Sequence, residues 1–196
     1  MSDAPWLVVG LGNPGPTYTA TRHNIGVMAV ERLVDSLGGR LAAHRRCRAE
    51  VSENRVGPLG HGAVRVVAAR TRGYMNESGG PVACLVDFYK APVEQVVVLH
   101  DELDLPLGSM RIKLGGGDNG HNGLRSLRRS LGTGDFHRIR LGIGRPPGRQ
   151  DPAEFVLRPF TGSERTEVDL LCADAVDAVQ VLVRQGLAAA QSQFNS

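Results

Sequence analysis

The chain has 196 residues, with 23 Lys+Arg against 20 Asp+Glu for a formal charge of +3, 41% hydrophobic residues, 25 glycines and 11 prolines. That length suits one globular domain, and the balanced composition excludes a disordered chain, a collagen-like repeat and a small disulfide scaffold. The charge is uneven: residues 1–110 hold 11 basic and 11 acidic residues, 111–149 hold 9 against 2, and 150–196 hold 3 against 7. The positive excess falls in one short stretch, which on charge alone reads first as a solvated basic face and second as a surface for a polyanion such as RNA.

The run Trp6 to Leu11 is continuously apolar and ends in glycine, as a central strand buried on both faces does. From about Asn24 to Leu37, Ile25, Met28, Ala29, Leu33 and Leu37 keep helical spacing before Gly38-Gly39. Two polar-rich edge strands are predicted near 47–55 and 63–69, joined through Gly57-Pro58-Leu59-Gly60. A helix is predicted from about Pro81 to Tyr89, and Gln95 to Leu99 reads as a second buried strand running into His100-Asp101-Glu102-Leu103-Asp104. Ser109 to Leu114 and His137 to Ile143 alternate, which places Arg111 with Lys113 on one strand face and Arg138 with Arg140 on another. A helix from about His121 to Leu131 lies between them. A long amphipathic helix is predicted over about Ser163–Leu187, with Val168, Leu171, Cys172, Ala175, Val176, Val179 and Leu182 as its core stripe.

Strands alternating with helices predict an α/β fold, and the middle hairpin argues against a purely parallel sheet. The expected architecture is a single three-layer α/β/α domain over residues 1–196, with a mixed, mostly parallel sheet. Ligands in such sheets sit outside the carboxyl ends of the central strands, which would bring Asn13 and His23 near Asp101. Cys47, Cys84 and Cys172 are widely spaced, odd in number and without a CxxC pair, which fits a reducing cytoplasm and argues against a zinc ribbon. The first apolar run is too short for a signal peptide or a membrane span, so a cytosolic protein is expected.

Gly10-Leu-Gly12-Asn-Pro-Gly15 satisfies the spacing of a dinucleotide-binding loop. Pro14 and Pro16 stand where the phosphate-binding helix would begin, however, and no second apolar strand ends in an acidic residue about twenty positions later. His23 could take a proton from water if a carboxylate such as Asp101 fixed its tautomer, and no serine or cysteine occupies a nucleophile-elbow setting. A metal set of His100, Asp101, Glu102, Asp104 and His121 is disfavoured, because adjacent residues of an extended segment point to opposite sides. The glycine-rich loop 115–123 ends at a helix N-terminus, whose free N–H groups could hold an anion or a developing oxyanion; the simpler reading is a cap by Asn119 or Asn122. Tyr74-Met-Asn-Glu-Ser-Gly79 read alone is a turn before a helix, with Asn76 or Ser78 as the cap.

Seven blocks taken together resemble the bacterial peptidyl-tRNA hydrolase family. They are Val9-Gly-Leu-Gly-Asn-Pro-Gly15, Thr21-Arg-His-Asn-Ile-Gly26, Tyr74-Met-Asn-Glu-Ser-Gly79, His100-Asp-Glu-Leu-Asp-Leu-Pro106, Lys113-Leu-Gly-Gly-Gly117, Gly120-His-Asn-Gly-Leu124 and Phe136-His-Arg-Ile-Arg-Leu-Gly-Ile-Gly144. The resemblance implies a monomeric esterase without metal or cofactor that cleaves peptide from the 3′-terminal ribose of tRNA. It implies His23 as general base, Asp101 as its orienting carboxylate, and Asn13 and Asn76 at the scissile ester. Asn122 would position water or peptide, Met75, Gly120 and His121 would line the peptide groove, and Tyr18 would flank the terminal nucleotide. Arg111, Lys113 and Arg140 would clamp the acceptor stem near the 5′ phosphate. Two residues depart from the pattern: Arg111, where relatives often carry Lys, and Glu77, where Leu is common.

Overall fold

In a computed structural model that describes residues 3–58, 60 and 62–195, the elements follow one another as β1 (Trp6–Gly10), α1 (Ile25–Ser36), β2 (Ala42–Ala43), β3 (Ala49–Val56), β4 (Val64–Thr71), α2 (Gly79–Tyr89), β5 (Val96–Glu102), β6 (Met110–Leu114), α3 (Asn122–Leu131), β7 (His137–Gly142), α4 (Pro152–Val156), α5 (Arg165–Gln185) and α6 (Leu187–Phe194). Seven strands form one sheet in the order β2-β3-β4-β1-β5-β7-β6. The four central strands β4, β1, β5 and β7 run parallel, while β2-β3, β3-β4 and β6-β7 pair antiparallel. Leu59 of the predicted connecting turn lies outside the described residues.

Helices cover both faces, as an α/β sheet buried on both sides requires. Val8, Val97, Leu99, Ile112, Ile139 and Leu141 pack with buried residues of α1, α5 and α6, whereas Leu7, Val9, Val67, Val96 and Val98 pack with those of α2 and α3. All seven residues of the predicted C-terminal stripe are buried. Gly186, at φ +91°, ends α5, and α6 turns back against β6. There Asn195 Oδ1 accepts from the Ile112 amide at 2.6 Å and its Nδ2 donates to the Ile112 carbonyl at 3.0 Å, closing the open edge of the sheet.

Three expectations need correction. β4 is an interior strand, hydrogen-bonded to β3 and β1, because its residues Val66 to Ala69 are buried from both sides despite flanking arginines. β5 continues past Leu99 to Glu102, since β7 pairs with it through Asp101↔Leu141 and Glu102↔Gly142. Cys47 and Cys84 form a disulfide with Cα atoms 5.6 Å apart, and only Cys172 is a free, buried thiol. The fold brings the two together across 37 residues, a pairing that linear spacing does not reveal, and the bond removes the cysteine argument for a reducing compartment.

Close backbone contact sets α1 on the sheet. A Cβ built on Gly26 would stand 2.2 Å from the Leu99 carbonyl oxygen, and one on Gly10 would stand 2.3 Å from the Gly26 oxygen. The first turn of α1 therefore lies directly on β1 and β5, and the residues before it overhang the end of β5. Gly26→Ala is expected to lower unfolding stability by about 2–3 kcal/mol through overpacking. A urea-melt midpoint equal to that of the parent protein would contradict this contact.

Candidate active site

Asp101 sits at the carboxyl end of β5, and one histidine reaches it from each helical layer. His23 lies in the 3-10 turn Arg22–Asn24 that leads into α1, and its Nδ1 is 2.8 Å from Asp101 Oδ2. His121 precedes α3, and its Nε2 is 2.7 Å from Asp101 Oδ1. His121 Nδ1 accepts hydrogen bonds from the Gly123 and Leu124 amides at 3.1 and 3.3 Å, so its proton sits on Nε2 and is donated to the carboxylate. With Asp101 accepting on both oxygens, His23 donates from Nδ1, and its Nε2 keeps a lone pair with no protein partner among the described residues.

Electrostatics agree with this tautomer. Burial alone would raise the Asp101 pKa, but the two imidazoles hold it far below the usual carboxylate range. Burial likewise opposes a charged His23, yet the Asp101 charge and hydrogen bond outweigh it and raise the His23 pKa above 6.5. His100, on the opposite face of β5, is pushed down to about 3 by burial and then by His121. It is a neutral core residue whose Nδ1 lies 2.8 Å from the Asp101 carbonyl oxygen.

Asn13 and Asn24 form a reciprocal pair. The Asn13 amide donates to Asn24 Oδ1 at 2.8 Å, and Asn24 Nδ2 donates to the Asn13 carbonyl at 2.9 Å. Asn13 Oδ1 in turn accepts from the Met75 amide at 2.8 Å, which leaves its Nδ2 as the free end. The cleft, about 660 Å3, is lined by Asn13, Tyr18, His23, Met75, Asn76, Asp101, Gly120, His121 and Asn122, so every expected catalytic and substrate-contact residue meets there. Tyr74, 53% exposed, lines it too and meets Tyr18 edge-on at 6.2 Å. Its place immediately before Met75 is the signal that the sequence offered for it.

The structure revises several local readings. His121, and neither Asn119 nor Asn122, caps α3, so the Gly123 and Leu124 N–H groups expected to be free for an anion are occupied. Ser78, and not Asn76, holds the N-cap position of α2, but without a side-chain cap bond; its Oγ donates back to the Met75 carbonyl, and the Gly79 amide donates to Ser126 of α3. Glu77 reaches back to the Tyr74 amide and does not line the cleft. The ligand-type atoms of His23, Asp101 and His121 lie within 4.8 Å of one another. Both nitrogens facing the carboxylate are spent on hydrogen bonds to it, a pattern that is complete as a hydrogen-bond network. The rest of the metal set considered from sequence diverges, with Glu102 paired to Arg140 and Asp104 to Arg145.

Arg22 is a residue that sequence reasoning missed. Its Nη1 donates to the Arg158 and Pro159 carbonyls, its Nη2 pairs with Glu164 at 3.0 Å, and its guanidinium stacks 4.3 Å from the Phe155 ring centre. It thereby ties the His23 turn to α4, one wall of the cleft.

The two predicted cationic faces merge into one, because β6 and β7 pair Arg111 with Arg140 and Lys113 with Arg138. Arg138 is buried, gripping the carbonyls of Gly116, Gly117 and Gly134, and so shapes the glycine loop. Arg140 pairs with Glu102 at 3.1 Å. Burial and then the Arg140 and Arg138 charges lower the Lys113 pKa. Lys113 and Arg140 line a recess of about 310 Å3 that adjoins the cleft through Glu102 and Asn119, while Arg111, opposite Arg140 in the β6–β7 ladder, is exposed and does not line it.

Comparison with known proteins agrees with this geometry. Residues 7–196 match the family described as peptidyl-tRNA hydrolase. The chain is 54% identical over 193 residues to the peptidyl-tRNA hydrolase of Streptomyces coelicolor, covering 98% of this chain and 96% of that protein. It is 52% identical to that of Mycolicibacterium smegmatis, covering 98% of each. The crystal structure of peptidyl-tRNA hydrolase from Acinetobacter baumannii superposes with a TM-score of 0.87 at 36% identity, over 100% of this chain and 96% of that one. With the sheet, the cleft and the full-length similarity in agreement, the chain belongs to the peptidyl-tRNA hydrolase family and is a hydrolase.

Proposed function

We propose that the chain hydrolyses the ester between a peptide and the 3′-terminal ribose of peptidyl-tRNA, using water activated by His23 and returning free tRNA from translation drop-off products. The observation that carries this is the 2.8 Å bond from His23 Nδ1 to Asp101, which leaves Nε2 as a base in the cleft. Nε2 takes a proton from water, and the oxygen of that water attacks the ester carbonyl carbon. The imidazolium then gives its proton to the departing ribose oxygen as the ester C–O bond breaks. Asp101 stabilises the imidazolium and holds the ring. Asn13 Nδ2, its partner oxygen already engaged, donates to the developing oxyanion.

In the same reading Asn76 contacts the substrate beside the ester, and Asn122 positions water or peptide. Met75, Gly120 and His121 line the peptide groove, and Tyr18 flanks the terminal nucleotide. Arg111, Lys113 and Arg140 hold the acceptor stem near the 5′ phosphate. A face with like charges paired across strands is one that a phosphate relieves. The reaction uses protein groups alone, in one monomeric domain spanning residues 1–196. The cytoplasm, where peptidyl-tRNA arises, is the site of action. Among the described residues no helix is long and apolar enough to cross a membrane.

Replacing His23 with Ala is expected to lower kcat about 10²–10⁴-fold while tRNA affinity stays near that of the parent. Full ester cleavage by His23→Ala would refute the assignment. Because a base acts only when deprotonated, the acid limb of kcat/KM should lie above pH 6.5, with activity lost below it. Asp101→Asn should move that limb to lower pH and reduce kcat; a limb that did not move would separate Asp101 from His23. Neutralising Lys113 or Arg140 should weaken tRNA binding and flatten its dependence on log salt by about 1 per contact, read by filter binding across a salt series. An unchanged slope would remove these residues from the phosphate contact.

A further inference from the structure

The neutral charge of residues 1–110 conceals a second segregation, for residues 40–72 hold eight arginines against two glutamates. Arg65 and Arg70 have carboxylate partners, Asp3 for the first and Glu31 with Glu50 for the second. Arg45, Arg46, Arg48 and Arg72 are exposed, and among the described residues none of them forms an ion pair.

Arg48 and Arg72 stand at the end of the sheet that carries the site, and Arg45 and Arg46 lie on the loop that runs into Arg48, their guanidiniums against Phe88 of α2. The Arg72 amide donates to the Arg48 carbonyl at 3.0 Å, so the two residues stand side by side just beyond the last ladder pair, Ala49↔Thr71. Gly10 is in register with both Arg70 of β4 and Leu99 of β5, which sets Arg72 level with Asp101. The strand order puts Arg72 two strand spacings from Asp101, about 10 Å, on the side away from β7 and β6. A groove of about 600 Å3 includes Arg72, the Pro14 to Pro16 turn and Asn13, and Asn13 also lines the cleft.

The loop that carries three of these arginines is held in place. His44 Nδ1 accepts from the Arg46 and Cys47 amides at 3.2 and 2.9 Å, and its ring meets Phe88 edge-on at 4.5 Å. The Arg45 and Arg46 guanidiniums lie 5.2 and 6.0 Å from the Phe88 ring centre. Cys47, between Arg46 and Arg48, is bonded to Cys84 of α2. Uncompensated cations on an ordered loop lose little conformational freedom when an anion arrives.

We infer that Arg45, Arg46, Arg48 and Arg72 form a second RNA-contact surface, which holds backbone phosphates of the bound tRNA on the side of the cleft opposite the β6–β7 cations. This rests on the reading of the chain as a peptidyl-tRNA hydrolase. The catalytic cleft then lies between two cationic surfaces, and the tRNA is gripped from both sides of the ester.

The test compares the parent protein with the triple variant R45Q/R46Q/R48Q on two substrates across a salt series. One is an N-blocked aminoacyl-tRNA, and the other is an N-blocked aminoacyl ester of adenosine, which has no phosphate. At low salt the variant should lose about tenfold in kcat/KM on the tRNA substrate, chiefly through KM, with a salt slope flatter by about 0.7–0.9 per lost contact. The adenosine ester should be affected far less. The charge-retaining variant R45K/R46K/R48K should recover the slope. Equal losses on both substrates, or an unchanged KM and slope on tRNA, would overturn the second surface while leaving the hydrolase reading intact. A parent protein that cleaved neither substrate would overturn both.

Discussion

A buried carboxylate at the end of a central strand is costly unless it is paired, and Asp101 is paired on both oxygens. Its two donors come from opposite helical layers, so one charge fixes the position of α1 and α3 at the same edge of the sheet. Several features described above serve that arrangement. The glycine contact lets α1 approach β5, the Asn13–Asn24 pair holds the neighbouring loop, and the His121 cap assigns a proton to the correct nitrogen. The two imidazoles are alike in chemistry and differ in what their second nitrogen meets. For His121 it is a pair of helix N–H groups, and for His23 it is the cleft. That difference separates a supporting histidine from one that can exchange a proton.

Much of this was legible in the sequence. β1 and β5 are buried on both faces and read as apolar runs, and the 3.6-residue stripe of α5 survives intact in the core. His23 and Asp101 could be singled out as a base with its carboxylate, the other catalytic and substrate-contact residues followed from the seven blocks that resemble the family, and the structure gathers these residues into one cleft. Contacts that depend on a partner distant in sequence were not legible. α4 is five residues long, too short for periodicity to show, and Arg22 anchors it across more than a hundred residues. The cap on α3 went to a histidine because its ring reaches two amides and a carboxylate at once, a choice no propensity scale favours. The Cys47–Cys84 bond depends on how β3 meets α2, which is a property of the fold.

The formal charge of +3 is a poor guide to this molecule, since it averages regions with different roles. The basic stretch 111–149 divides on folding. Arg138 turns inward to organise the glycine loop, Arg140 shares its charge with Glu102, and Arg111 and Lys113 form no ion pair among the described residues. The neutral N-terminal half divides in the opposite sense, into a paired interior and a rim of unpaired arginines. Which cations are free to meet a polyanion is decided by burial and by carboxylates from other strands, and composition records neither.

The pairing of Asn195 with Ile112 bears on how the chain reaches its fold during synthesis. Strand β6 is made more than eighty residues before the side chain that covers its outer edge, and β7, its ladder partner among the described residues, also comes later. Until Gln191 and Asn195 emerge, the Ile112 carbonyl and amide remain an open template for another nascent chain. Proximity of many such chains on one message would favour edge-to-edge association. The like charges of Arg111 and Lys113 along that strand offer a built-in repulsion against it, guarding the edge while it is exposed.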